Sequence, residues 1–376
     1  MQHLPCPTAT RLPDSIVTAP GTTAFVARGR QHAKDRELAI PCHLGSHGSA
    51  ASVALAFPAQ WVQASSLATA DVSLVITGTG QSWSRIGRVG RVLSNATSAG
   101  RLLGISDLHV NNPENREVVE GLWPESDNDW LIVAGDVADL ISDIEWALQV
   151  LRDRFHTVIW VPGNHELWTL PKDPVTLRGQ ARYQCLVDLC HGLGVITPED
   201  PYPVWHGPGG PARIAPLFLL YDYTFRVDGL HTKEQSLAYA HQTGIVCADE
   251  VLLHPDPYPN RQAWCRTRVA ETERRLVACD RDVPLVLVNH WPLIREPTRV
   301  LRYPEFAQWC GTELTADWHR KFSTAAVVYG HLHIPCSTVH DGVRFEEVSL
   351  GYPREWTPRG LPRRVLRPIL PTPESR

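Results

Sequence analysis

Five short apolar runs punctuate the chain, and each stops at a cluster of polar residues. The runs are 102–106 (LLGIS), 130–134 (WLIVA), 157–161 (TVIWV), 284–288 (PLVLV) and 325–329 (AAVVY). Continuous apolar runs of this length are what strands buried on both faces require. Between the second and third, Leu140, Ile144, Leu148 and Leu151 recur at helical spacing after Asp139, which reads as the helix N-cap. Further helices are expected over 177–192 and 261–279, and a strand over 214–220. This alternation demands an α/β fold, a sheet whose faces are covered by helices. Segments 337–340 and 343–349 flank Asp341-Gly342, the turn pair of an antiparallel hairpin.

The polar clusters carry the chemistry. They are Asp107-Leu108-His109, Gly135-Asp136, Gly163-Asn164-His165-Glu166, Asn289-His290 and Gly330-His331-Leu332-His333. In open α/β sheets ligands bind beyond the carboxyl ends of strands, so all five can converge on one place. Carboxylate, amide and imidazole donors without thiolate suit borderline-hard divalent ions. Asp107 and His109 stand two apart, which in an extended segment turns both to one side; His331 and His333 repeat the device. Asp136, placed between, has two oxygens with which to bridge two ions. A pair of ions about 3.5–4 Å apart clamps the attacking and leaving oxygens of a displacement at phosphorus. Any one cluster is weak evidence, because a lone Asp-x-His is more often surface or cap. The order and spacing decide the matter: 29 residues separate Asp107 from Asp136, and 28 separate Asp136 from Asn164, both near the ~30 of a βαβ unit.

Blocks D-x-H, G-D, G-N-H-E, N-H and G-H-x-H in this order resemble the calcineurin-like metallophosphoesterases, from Asp107 to His333. The resemblance implies a four-layer α/β/β/α sandwich of two mixed sheets. It implies one metal on Asp107, His109 and His333, a second on Asn164, His290 and His331, and Asp136 bridging them. Manganese or iron are the expected ions, and such donors also accept zinc. The catalytic residues it implies are His165, which contacts the phosphate and protonates the leaving group, Glu166, which replaces the more usual Asp and should orient His165, and Asp136. Asp139 stands where purple acid phosphatases carry a tyrosine ligand, so no charge-transfer colour is expected. A non-catalytic scaffold is disfavoured, because His165 and every ligand position are filled.

A closer likeness lies outside the ligands, in DWLIVAGDVA, VIWVPGNHELW, LFLLYDY, VYGHLHIP and DGVRFEEVSLGYPREW. These resemble an actinobacterial branch of the family that includes phosphopantetheinyl hydrolases. That implies a phosphodiesterase removing 4′-phosphopantetheine from acyl or peptidyl carrier proteins; the alternative is a small-molecule phosphatase or phosphodiesterase on the same scaffold. Tyr221, Asp222 and Tyr223 fall where the family places its pocket wall and are candidate substrate contacts. Arg354 is another, since a guanidinium grips phosphate oxygens bidentately.

Charge divides the chain near Gly100. Of 36 Lys/Arg and 40 Asp/Glu, 8 and 4 lie in the first 100 residues, which leaves 28 against 36 beyond. Residues 1–100 read as a poorly ordered or loosely attached extension, 101–356 as the catalytic domain, and 357–376 as a basic, proline-rich tail. The acidic body argues against a dedicated nucleic-acid binder. No apolar run approaches the roughly 18 residues of a membrane span, and no secretory signal pattern is present. Nine cysteines without a CxxC pair read as free thiols of a cytoplasmic protein.

Overall fold

The computed structural model describes residues 99–361 and 365–372, together with the two-residue strands Val53–Ala54 (β1) and Val75–Ile76 (β2), which pair antiparallel. The chain divides into two units, residues 8–96 and the remainder. Apart from that short pair, the expectation for residues 1–100 lies outside the described residues.

The larger unit holds two sheets. One contains β3 (Leu102–Ile105), β4 (Trp130–Val133) and β5 (Thr157–Trp160), parallel to one another, with β12 (Arg367–Leu370) antiparallel at the edge beside β3. In the other, β7 (Ala212–Pro216), β8 (Leu285–Val288), β9 (Thr324–Tyr329) and β11 (Val343–Glu347) run parallel. Antiparallel β6 (Val204–Trp205) and β10 (Cys336–His340) close its edges. Asp341 and Gly342 both take positive φ at the β10–β11 turn, as a hairpin of this type needs.

Alternation along each strand builds the layers. Ile132, Ile159, Ile214, Val286 and Val328 join one buried cluster drawn from both sheets, so the sheets pack face to face. Their neighbours Leu131, Val133, Val158, Trp160, Leu287 and Val327 point the other way, into a cluster shared with the helices. Of these, α1 (Pro113–Glu120) contributes Val119, α2 (Ile141–Arg152) Ile144, Leu148 and Leu151, α4 (Gly179–Leu193) Leu186 and Cys190, and α7 (Arg261–Val277) Trp264 and Leu276. The result is the four-layer α/β/β/α sandwich.

Three expectations are corrected. Asp139 is not the N-cap of α2: Leu140 occupies that position and no side chain caps the helix. The segment read as a tail returns to the fold, since β12 pairs with β3; Pro368 is tolerated because an edge strand leaves one row of backbone groups unpaired. Cys190, Cys247, Cys265, Cys279, Cys310 and Cys336 are free, but Cys185 is disulfide-bonded.

Candidate metal centre

All five polar clusters meet at the carboxyl ends of β3, β4, β5, β8 and β9. The backbone brings them there differently from the extended geometry assumed above. Asp107, His109, Asp136, His331 and His333 all have positive φ, between 40° and 69°. Left-handed backbone at a non-glycine residue costs on the order of 1 kcal/mol or more and persists where surrounding structure enforces it. Here each ligand-bearing loop coils sharply after its strand. The glycines of the motifs make room: a Cβ on Gly163 would lie 2.1 Å from Asp136 Oδ1, and one on Gly330 would lie 2.3 Å from Asp107 Oδ2.

Three overlapping groups of donors result. Asp107, His109 and His333 form one, Asp136, His290 and His331 a second, and His109, Asp136 and His165 a third between them, with donor atoms in each group within 4.8 Å of one another. His333 Nε2 lies 3.0 Å from Asp107 Oδ1 and 3.3 Å from His109 Nε2. His290 Nε2 lies 3.2 Å from His331 Nδ1 and 3.4 Å from Asp136 Oδ2. Asn164 presents a buried Oδ1 that has no hydrogen-bond partner.

Hydrogen bonds fix the remaining atoms of His290, His333, Asp107 and Asn164, whereas His109 Nδ1 and His331 Nε2 are buried without a partner. His290 donates its Nδ1 hydrogen to the carbonyl of Ala134 and His333 donates its own to Glu355, so both rings turn Nε2 toward the centre. Asp107 Oδ2 accepts from Ser349 Oγ and the backbone of His331. Asn164 Nδ2 donates to Asp249. Burial opposes a charge on His290, but Asp136 outweighs it and lifts the pKa to about 9. Burial, then the neighbouring His290, push His331 down to about 3. Imidazole nitrogens 3.2–3.3 Å apart, beside two carboxylates and an orphaned amide oxygen, make a crowded donor cluster that divalent cations would satisfy. The donor set fits two ions.

His165 stands over this centre, its Nε2 3.8 Å from Asp136 Oδ2. Its orienting partner is Asp139, whose Oδ1 accepts the Nδ1 hydrogen at 2.7 Å, and not Glu166 as expected. Glu166 is fully buried and accepts from the backbone of Asp136, Val137 and Gly163 and from the Trp160 indole. Its extra methylene carries the carboxylate past His165 into the space between two loops, where it ties the Asp136 loop to the Asn164 loop. Burial, and then Asp136, push its carboxyl up to about 7. On His165 burial acts to lower the pKa, but the charge of Asp136 and the bond to Asp139 raise it overall.

A family model described as Calcineurin-like phosphoesterase matches residues 100–335. The chain belongs to the calcineurin-like phosphoesterase family. It is a metal-dependent phosphoesterase, and divalent metals are the family's cofactors. Among curated proteins it resembles the [Acyl-carrier-protein] phosphodiesterase PptH of Mycobacterium tuberculosis, 55% identical over 273 residues that span 73% of this chain and 84% of that one. Among solved structures it resembles the phosphopantetheinyl hydrolase PptH of the same organism. The TM-score is 0.74 and the identity 54%, over 75% of this chain and 99% of the other.

A cleft of about 640 Å³ opens beside the centre. Arg354 lines it, with its guanidinium over the Tyr352 ring. The other three substrate candidates do not. Tyr221 and Tyr223 are buried and donate to Asp249 and Glu250, while Asp222 accepts from Thr224. The family resemblance placed them at the pocket wall, but the two tyrosines are engaged with Asp249 and Glu250 of α6 (Asp249–Leu252). Sequence reasoning missed three further residues. Tyr352 stacks on His109 with ring centroids 4.3 Å apart, and its hydroxyl lies 3.4 Å from His165 Nε2. Glu355 holds His333. Asp249 holds Asn164 and the indole of Trp168, which packs on His165. Tyr352 and Glu355 sit in the GYPREW block and could have been suspected, whereas nothing around Asp249 marks it. No helix among the described residues is long and apolar enough to cross a membrane.

Proposed function

We infer that the chain is a dinuclear phosphodiesterase that removes 4′-phosphopantetheine from holo carrier proteins. The observation that carries this reading is the 55% identity to an acyl-carrier-protein phosphodiesterase across the catalytic unit. Asp107, His109 and His333 would hold one ion, Asn164, His290 and His331 the other, with Asp136 between them; manganese, iron or zinc suit these donors. Such ions activate water and stabilise charge on the phosphate oxygens.

The chain's own residues do the rest. Water oxygen bonds to phosphorus, the bond from phosphorus to the serine oxygen breaks, and that oxygen takes a proton from His165 Nε2. Asp139 keeps the ring turned so that Nε2 faces the leaving oxygen. General-acid assistance of this kind contributes about 10²–10⁴-fold. Intact-protein mass spectrometry of a holo carrier protein incubated with enzyme and Mn²⁺ tests the reading, and conversion to the apo mass is expected. An unchanged carrier protein alongside rapid hydrolysis of a nucleotide or sugar phosphate would move the substrate to small-molecule esters.

A further inference from the structure

The residues that line the cleft fall into two chemical groups, one reaching His165 through Tyr352 and the other reaching His331 through Phe306. On one side Tyr352 reaches His165, Arg354 lies over Tyr352 with its guanidinium 4.4 Å from the ring, and Arg359 donates to the Glu355 carbonyl. Among the described residues neither arginine pairs with a carboxylate, although residues 101–376 carry 28 Lys/Arg against 36 Asp/Glu. Two guanidinium groups, neither within salt-bridge distance of a carboxylate, thus line the cleft on the Tyr352 side. On the other side Phe306 stacks on His331 with centroids 5.8 Å apart. Leu301, Tyr303 and Val246 extend that apolar wall. Val246 and Tyr303 are 71% and 50% exposed, so an apolar ligand lying on them would remove their surface from water. Arg302 also borders the cleft here, its guanidinium turned toward the Tyr303 ring.

The proton donor gives the cleft a direction. Whatever leaves phosphorus departs on the His165 side, and whatever stays on phosphorus occupies the remaining space. Resting on the function inferred above, we propose that the substrate lies across the cleft in one orientation. The alkyl-amide arm covers the Leu301, Tyr303, Phe306 and Val246 wall, while an acidic face of the departing carrier protein meets Arg354 and Arg359. The arm then supplies recognition through apolar burial. The protein supplies it through charge, which steers encounter and weakens with salt.

Two exposed-site variants and two substrates separate the halves. The substrates are a holo carrier protein and the methyl ester of 4′-phosphopantetheine, which keeps the arm and replaces the protein by a methyl group. The variants are the double truncation Val246→Ala/Tyr303→Ala and the reversal Arg359→Glu; metal content and thermal midpoint confirm that both are folded. The truncation is expected to raise KM about tenfold for both substrates, the scale of losing a few buried methylenes. The reversal is expected to raise KM about tenfold for the carrier protein alone, with an effect that shrinks as salt is added. Equal effects of Arg359→Glu on both substrates, a truncation that spares the methyl ester, or no change in KM with either variant would each overturn the orientation. Wild-type enzyme that cleaves bis(p-nitrophenyl) phosphate but neither arm-bearing ester would show that the function itself fails, and the orientation with it.

Discussion

Replacing Asp139 by alanine separates the two carboxylates that compete for the role of orienting His165. The bond from His165 Nδ1 to Asp139 Oδ1 is 2.7 Å long, and both side chains are mostly shielded, at 11% and 13% exposure. A hydrogen bond to a charged partner in such a setting is worth about 1.5–3 kcal/mol. If that energy holds the imidazole for proton transfer, its loss lowers kcat on alkyl esters by about 10- to 150-fold. A p-nitrophenyl diester, whose leaving group needs little protonation, should lose far less. The pH profile gives a second readout. His165 must be protonated to act as an acid, so alkyl-ester turnover falls as pH rises through its pKa. Asp139 helps to raise that pKa, so its removal should shift the falling limb to lower pH. Steady-state kinetics on both esters, with metal content measured in parallel, is the assay. If Asp139→Ala retained full alkyl-ester turnover while metal-loaded Glu166→Gln lost it, the orienting role would return to Glu166 and the geometric argument would be wrong.

Chelation should abolish activity and Mn²⁺ should restore it, with two ions per active chain by elemental analysis; full activity with one ion would remove the paired centre. Gly163→Ala should cost metal affinity more than fold, because its Cβ would lie 2.1 Å from Asp136 Oδ1; calorimetric titration with Mn²⁺ and a thermal melt distinguish the two. Asp129 accepts from the Arg101 backbone and guanidinium and from the backbone of Glu125 and Ser126, so Asp129→Ala should destabilise by about 2–4 kcal/mol in denaturant titration. Burial alone would raise the Asp129 pKa, but Arg101 lowers it overall. The wild-type advantage should therefore be full above about pH 4 and fade as pH falls through the lowered value.

The centre was legible in sequence for a physical reason. Each ligand follows a strand that is apolar throughout, and glycines mark where loops must approach one another closely, as Gly163 and Gly330 do. The same signal failed at Tyr221 and Tyr223: the apolar run outlasts β7, which stops at Pro216, and both tyrosines are buried with hydroxyls bonded to Asp249 and Glu250. Asp249 left no trace, since its bond to Asn164 joins residues 85 positions apart across a loop without a motif. Strand β12 was hidden by its arginine and proline, which are unfavourable in a central strand and acceptable at an edge. Glu166 was seen but misassigned: one-letter patterns do not record how far a carboxylate reaches.

That reach has a consequence for metal choice. By accepting backbone hydrogens from both the Asp136 and the Gly163 loops, Glu166 ties the Asp136 carboxylate and the Asn164 amide to one another. The span between donors is then set by protein covalent geometry before any ion arrives, and ions of similar radius meet the same cage. Raw affinity for such a cage rises along the first transition series whatever the enzyme needs. Selection of the working metal therefore passes from the protein to the cell: the supply of free ions at the time of loading decides which species of enzyme exists.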